Sequence, residues 1–97
     1  MRKPRDPAWK PVDYSYSEVM ALKGLAAGTA DEAQQKLALD WLIRVACGTY
    51  ELSYRSDQDG GERETAFAEG RRFVGLQAVK MVNMPPAMVA QLRKKDG

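Results

Sequence analysis

Asp57, Asp59 and Glu62 form an acidic loop in a chain with few other groups able to do chemistry. Carboxylates of this kind bind hard cations, but the spacing lacks the glycine and the terminal glutamate of a calcium-binding loop. The trio therefore reads as a loop followed by a helix cap. Cys47 is the only cysteine, so no disulfide forms within the chain, and histidine is absent altogether. That removes the commonest general base and the commonest metal ligand together. No G-x-S-x-G, phosphate-binding glycine loop, H-E-x-x-H or Cys/His cluster is present. An enzyme is not expected, and neither is a cofactor, a metal or a catalytic residue.

The charges point instead to partners. The net charge is +2, distributed unevenly. Arg2, Lys3, Arg5 and Lys10 stand against Asp6 in residues 1–12, and Arg93, Lys94 and Lys95 stand against Asp96 in residues 92–97. The stretch between them has eight basic and eleven acidic groups, so a slightly acidic body has two basic ends. Such ends bind phosphates or acidic protein surfaces, or simply keep a small protein in solution. The seven basic residues named here are the candidate nucleic-acid contacts.

The 97 residues, 44% hydrophobic and 29% charged, make one domain of ordinary globular composition. No apolar run approaches the ~18–20 residues that span a bilayer, and the basic start is not followed by the apolar stretch of a secretory signal. A cytosolic origin is the default expectation. Pro4, Pro7 and Pro11 predict an extended arm over residues 1–14, because proline lacks the amide donor and restrains its predecessor. Trp9 and Tyr14 are costly on a free tail, so the arm is expected to lie against its own domain or a neighbour. Ser15 and Glu18 form a capping-box pattern for a helix over about 16–27, ended by Gly28. Thr29 and Glu32 repeat the pattern and open a helix reaching about Cys47. Lys36, Asp40 and Arg44 form one charged ribbon on it. Its apolar positions sweep roughly 240°, far beyond an ordinary surface stripe, so other helices or a second subunit must cover it. Residues 48–55 alternate as a strand would, or continue the helix in frayed form. Asp59 and Glu62 offer a cap for a helix over about 61–83, and Pro85-Pro86 opens a short helix with Met88, Val89 and Leu92 as its apolar side. The expected architecture is all-α: a three- to four-helix domain over 15–84, the proline-rich arm before it, and a short helix with a basic tail over 85–97.

Two arginines interrupt the apolar pattern of "AFAEGRRFVG", residues 66–75. On a wheel with Phe67 at the origin, Phe73, Ala66, Gln77, Gly70, Met81, Val74 and Ala78 share one arc of roughly 140°, the expected core face. Gly70 lies at its middle, making room for a bulky neighbour such as Trp41. Arg71 falls about 40° from Phe67 and is expected to brace the fold by pairing with Asp40 or Glu51. Arg72 points about 140° away, beside Ala68, Leu76 and Val79 on a second apolar patch, and is the expected partner contact; its plain alternative is a solvated arginine paired with Glu69. The candidate protein interface comprises Trp9, Arg72, Leu76, Val79, Met84 and Met88.

"GTADEAQQKLALDWLIRVACGTYELSYR" followed by "ETAFAEGRRFVGLQAVKMV" resembles a family of small proteins from tailed bacteriophages and prophages, first named from a Bordetella phage product. The matching parts are the "GTA" helix opening, "ALDWLI", "TYELSYR" and above all "AFAEGRRFVG", over about Gly28 to Val82. The resemblance implies an all-helical protein of the head-morphogenesis region, near portal, capsid and packaging functions. It brings no catalytic residues and says nothing of the arm or the basic tail. The expected function is a non-enzymatic virion or head-assembly component, a homo-oligomer that contacts the portal or an internal head protein, present in the host cytoplasm during assembly and then in the virion. The alternative is a DNA-binding packaging factor resembling a small terminase subunit, its basic termini touching packaged DNA. Against that alternative, Arg63, Arg72 and Lys80 are dispersed along the best recognition helix among Glu62, Glu64 and Glu69, where groove readers cluster their basic and amide groups.

Overall fold

Ser15 and Glu18 do close a capping box. The Ser15 backbone N–H donates to Glu18 Oε1 at 2.8 Å, and Ser15 Oγ accepts from the Glu18 N–H at 3.2 Å. Helix α1 runs from Tyr16 to Ala27 and stops on Gly28, left-handed at φ 74°. The second cap sits two residues beyond the expected Thr29. Thr29 and Ala30 both donate backbone N–H bonds to the Gly24 carbonyl and so finish α1. Asp31 then caps α2 (Glu32–Asp40) in a reciprocal pair with Gln34.

This is the all-α fold expected. In a computed structural model describing residues 5–96, there are four α-helices and, among the described residues, no strand. The rod begun by α2 continues to Ala46 but widens into a π-helical segment over Trp41–Ala46. There the Cys47 N–H bonds the Leu42 carbonyl at 2.9 Å, and Thr49 bonds the Ile43 carbonyl through both its N–H and its hydroxyl. Residues 48–55 are neither strand nor frayed helix but irregular, leading to a 3₁₀ turn at Asp57–Asp59. Helix α3 spans Gly61–Val82 without a side-chain cap. The cap expected from Asp59 is absent because that carboxylate is buried elsewhere: it accepts the Arg5 backbone N–H at 2.9 Å and the Ser56 hydroxyl at 3.3 Å. After Pro85, α4 runs from Pro86 to Asp96, so the basic tail is the last turn of a helix.

The helices pack as an open zigzag. Helix α1 lies on α2, and α3 lies on the π segment and the 3₁₀ turn. The apolar residues buried are alanines: Ala8, Ala21, Ala38 and Ala68. Among the described residues no valine, leucine, isoleucine, methionine or aromatic side chain is buried. The chain measures 55 × 34 × 16 Å with a radius of gyration of 16.9 Å, against ~12.5 Å for a compact domain of this length. Its accessible surface is 7742 Å², where a compact monomer of this mass exposes about 5,500 Å². No helix among the described residues is long and apolar enough to cross a membrane.

The backbone of α3 comes close to the loop after the π segment at Gly75. A Cβ there would fall inside the Thr49 hydroxyl and 2.9 Å from Cys47 Cβ. Gly75→Ala must therefore push Thr49 off the Ile43 carbonyl. We expect a loss of about 2 kcal/mol or more in urea unfolding, despite the better helix propensity of alanine.

Candidate interaction surface

The two sides of α3 do different things, and the assignment is the reverse of the one its hydrophobicity predicts. Glycine, alanine and arginine face the domain. Ala68 and Gly75 are buried, and Thr65, Arg71, Arg72, Ala78 and Val79 are half-buried between them. Apart from Ala78, the expected core face is open instead: Phe67 is 46% exposed, Val74 59%, Phe73 62% and Met81 71%. Gly70 has no atom within 4 Å of where its Cβ would stand, so it makes no room for Trp41. Trp41 lies elsewhere, half-buried, its indole Nε1 donating to the Asp13 carbonyl at 3.1 Å.

The physical reason is what α3 packs against. A π turn spreads its ladder and strands carbonyls at its end, which a buried interface must satisfy. Arg71 does so. Its Nε donates to the Ala46 carbonyl at 3.1 Å, its Nη2 to Val45 at 3.3 Å, and its Nη1 reaches the Ala8 carbonyl of the arm at 2.7 Å. A positive group at a helix C-terminus also meets the negative end of the helix dipole. The bracing role expected of Arg71 thus takes a different form, with backbone carbonyls in place of Asp40 or Glu51. Asp40 is already paired with Arg44 at 2.6 Å, and Lys36 pairs with Glu32 at 3.0 Å.

Arg72 points inward as well, correcting the outward direction expected for it. Its Nε donates to the Thr49 carbonyl at 3.2 Å, and its Nη1 lies 3.7 Å from Glu69, whose carboxylate also accepts the Ser53 hydroxyl. Leu76 joins Arg72, Tyr50 and Leu52 around a shallow hollow at the domain's edge, and Val79 is half-buried on the same side. Among the other candidate interface residues, Trp9 is exposed, Met84 is half-buried and Met88 is exposed. Met84, Met88 and Leu92 line a groove flanked by Lys80 and Lys95.

The basic candidates divide similarly. Arg2 and Lys3 lie outside the described residues. Arg5 is committed to the fold, its guanidinium donating to the carbonyls of Tyr54 at 2.9 Å and Leu52 at 3.0 Å. Lys10 pairs with Asp6 at 3.2 Å. Arg93, Lys94 and Lys95 are exposed on the last turn of α4. The acidic loop does not converge: among the described residues no three His, Cys, Asp or Glu side chains are grouped to hold a metal ion.

Buried Arg55 was not singled out by sequence, yet its Nη1 donates to the Asp6 carbonyl at 2.8 Å and its backbone N–H to Thr65 Oγ1 at 2.7 Å. Phe67, Gly70, Phe73 and Val74 were placed on the wrong side. The signal for the true inner face is the run Ala68, Arg71, Gly75, Ala78, small or cationic residues at helical three- and four-residue spacing.

Arg71→Lys keeps the charge but has no fork to reach three carbonyls in three directions. We expect it to cost about 2–4 kcal/mol in chemical denaturation, close to Arg71→Ala, whereas Arg72→Ala, losing one such bond, costs about 1 kcal/mol. Equal effects of the two alanine variants would contradict this division of roles.

Comparison with protein-family models, with curated proteins and with solved structures returns no match to this chain.

Proposed function

We propose that this protein is a non-enzymatic assembly subunit that works by protein–protein contact in an oligomer. The observation that carries this reading is the surplus of exposed apolar surface. Among the described residues only alanines are fully buried apolar side chains and the larger ones, such as Leu37, Trp41, Leu42 and Ile43, are half-buried, so burial offsets less of the ~1–2 kcal/mol of backbone entropy per ordered residue than a closed core does. The surface beyond that of a compact monomer, about 2,200 Å², matches what one subunit buries in a large obligate interface. Contiguous apolar faces of this kind mark contact sites. The resemblance in "AFAEGRRFVG" supplies the setting: assembly of a phage head, with the portal or an internal head protein as partner, in the host cytoplasm and then in the virion.

The second reading, a DNA-binding packaging factor, is favoured by the exposed run Arg93, Lys94 and Lys95. Arg5 and Lys10 are engaged within the chain, and binding through the exposed basic run is non-specific and salt-sensitive.

Sedimentation and thermal unfolding across a hundredfold range of protein concentration test the first reading. We expect a mass above the 10.8 kDa of one chain and a Tm that rises with concentration, because association stabilises the folded form by mass action. A monomer with a concentration-independent Tm would refute it. Sequence-selective DNA binding that survives ~200 mM salt would transfer the assignment to the second reading.

A further inference from the structure

Gly70 stands at the centre of the side of α3 that faces away from the domain. Its four helical neighbours at three and four residues' distance are Ala66, Phe67, Phe73 and Val74. All four are exposed, and no atom stands over the glycine. The result is an apolar hole with a backbone floor, one turn from an exposed phenylalanine on either side along the chain, on a helix 22 residues long. A floor without a side chain lets another backbone come unusually close.

We propose that the occupant of this hole is α3 of a second copy of the chain, laid antiparallel about a two-fold axis through Gly70. This rests on the assembly reading above and specifies its contact. Three features make the face self-complementary. First, a two-fold brings the same edges of both helices together, so the sizes interlock: Phe73 meets Ala66 of the second copy, Phe67 meets Val74 of the second copy, and the two glycines face each other. Second, the charges at the two ends of the face are opposite. Glu62 lies eight residues before Gly70 and Lys80 ten residues after it. The separation between Glu62 and Lys80 is five helical turns, about 27 Å, so the two share one edge but never meet within a chain. The two-fold sets Glu62 of each copy beside Lys80 of the other, twice per dimer. Both are exposed and neither has an ion-pair partner among the described residues. Third, the polar residues on the centre line also match: Arg63 comes opposite Gln77 of the second copy, a donor fork against an amide oxygen. The surplus surface exceeds the ~800 Å² per partner that a standard stable interface buries, so a helix-pair contact of this size is well within it.

Two sets of variants test the register. Gly70→Glu places a charge at the floor of the hole, and its Cβ meets no atom of its own chain within 4 Å beyond the helix backbone. It is expected to weaken self-association by about 100-fold or more in sedimentation equilibrium. The second set reads only the contact between copies. Glu62→Lys and Lys80→Glu are each expected to self-associate more weakly than the native chain. Mixed one to one they must recover association by about tenfold over either alone, because each supplies the charge the other lacks. Both changes oppose the helix dipole, so no effect inside one chain produces that recovery. An oligomer insensitive to Gly70→Glu, with no recovery on mixing, would overturn the seam and leave the assembly reading standing. A native chain that stays monomeric at every concentration would overturn both.

Discussion

The guanidinium of Arg71 holds three parts of this chain in place: the end of the π segment at Val45 and Ala46, the arm at Ala8, and α3, on which the arginine itself stands. All three acceptors are backbone carbonyls, and two of them are stranded by the widened turn. Arg5 and Arg55 repeat the arrangement on a smaller scale, bonding the carbonyls of Leu52, Tyr54 and Asp6. The arm, the irregular loop and α3 are thus joined by cations on carbonyls, where a domain of this size ordinarily uses leucines and phenylalanines. Such bonds are directional but worth little net, about 1.5–3 kcal/mol each at most when one partner is charged. They fix geometry better than they supply stability.

That constraint decides which way α3 faces. To place Arg71 over the end of the π segment, the helix must approach it closely along the whole contact. Gly75 provides a close approach, against Thr49, and Ala68 a buried small contact about two turns earlier, roughly 10 Å along the axis. A phenylalanine at either position would hold the helices apart and pull the arginine off its carbonyls. The large apolar residues of the same helix are consequently sent to the opposite side. Their exposure follows from how the inner face is built, and it is continuous along the helix from Phe67 to Met81.

What sequence revealed and what it hid divide along the same line. The Ser15 box, the Gly28 stop and the helix after Pro85 were legible because they depend on residues within a few positions of each other. The shift of the second cap from Thr29 to Asp31 was missed because the Gly24 carbonyl recruits two more residues into the end of α1, a detail of turn closure rather than of composition. The inner face of α3 was misread for a deeper reason. A wheel assigns the largest apolar residues to the core on the assumption that the helix packs against other apolar side chains. Here it packs against a backbone with unsatisfied acceptors, and the assumption inverts. Arg71 was recognised as a brace, but no sequence pattern announces a π segment, so its acceptors could not be foreseen. Asp40, the natural carboxylate, was unavailable because Arg44 one turn along had taken it.

A helix with a polar-stitched inner face and an apolar outer one separates two tasks that most small domains assign to a single core. The arginine contacts determine the shape of the subunit and can form before any partner arrives, since their donors and acceptors all lie within one chain. On the assembly reading, further hydrophobic stabilisation would be added from outside, at the side of α3 that the stitching leaves free. A second copy placed there would dry Phe67, Phe73 and Val74 together, and burying side chains of that size contributes roughly 1.5–3 kcal/mol each. Shape would then be set within the chain and stability between chains, so a substitution on the inner face should alter which contacts are possible, and one on the outer face how strongly they are made.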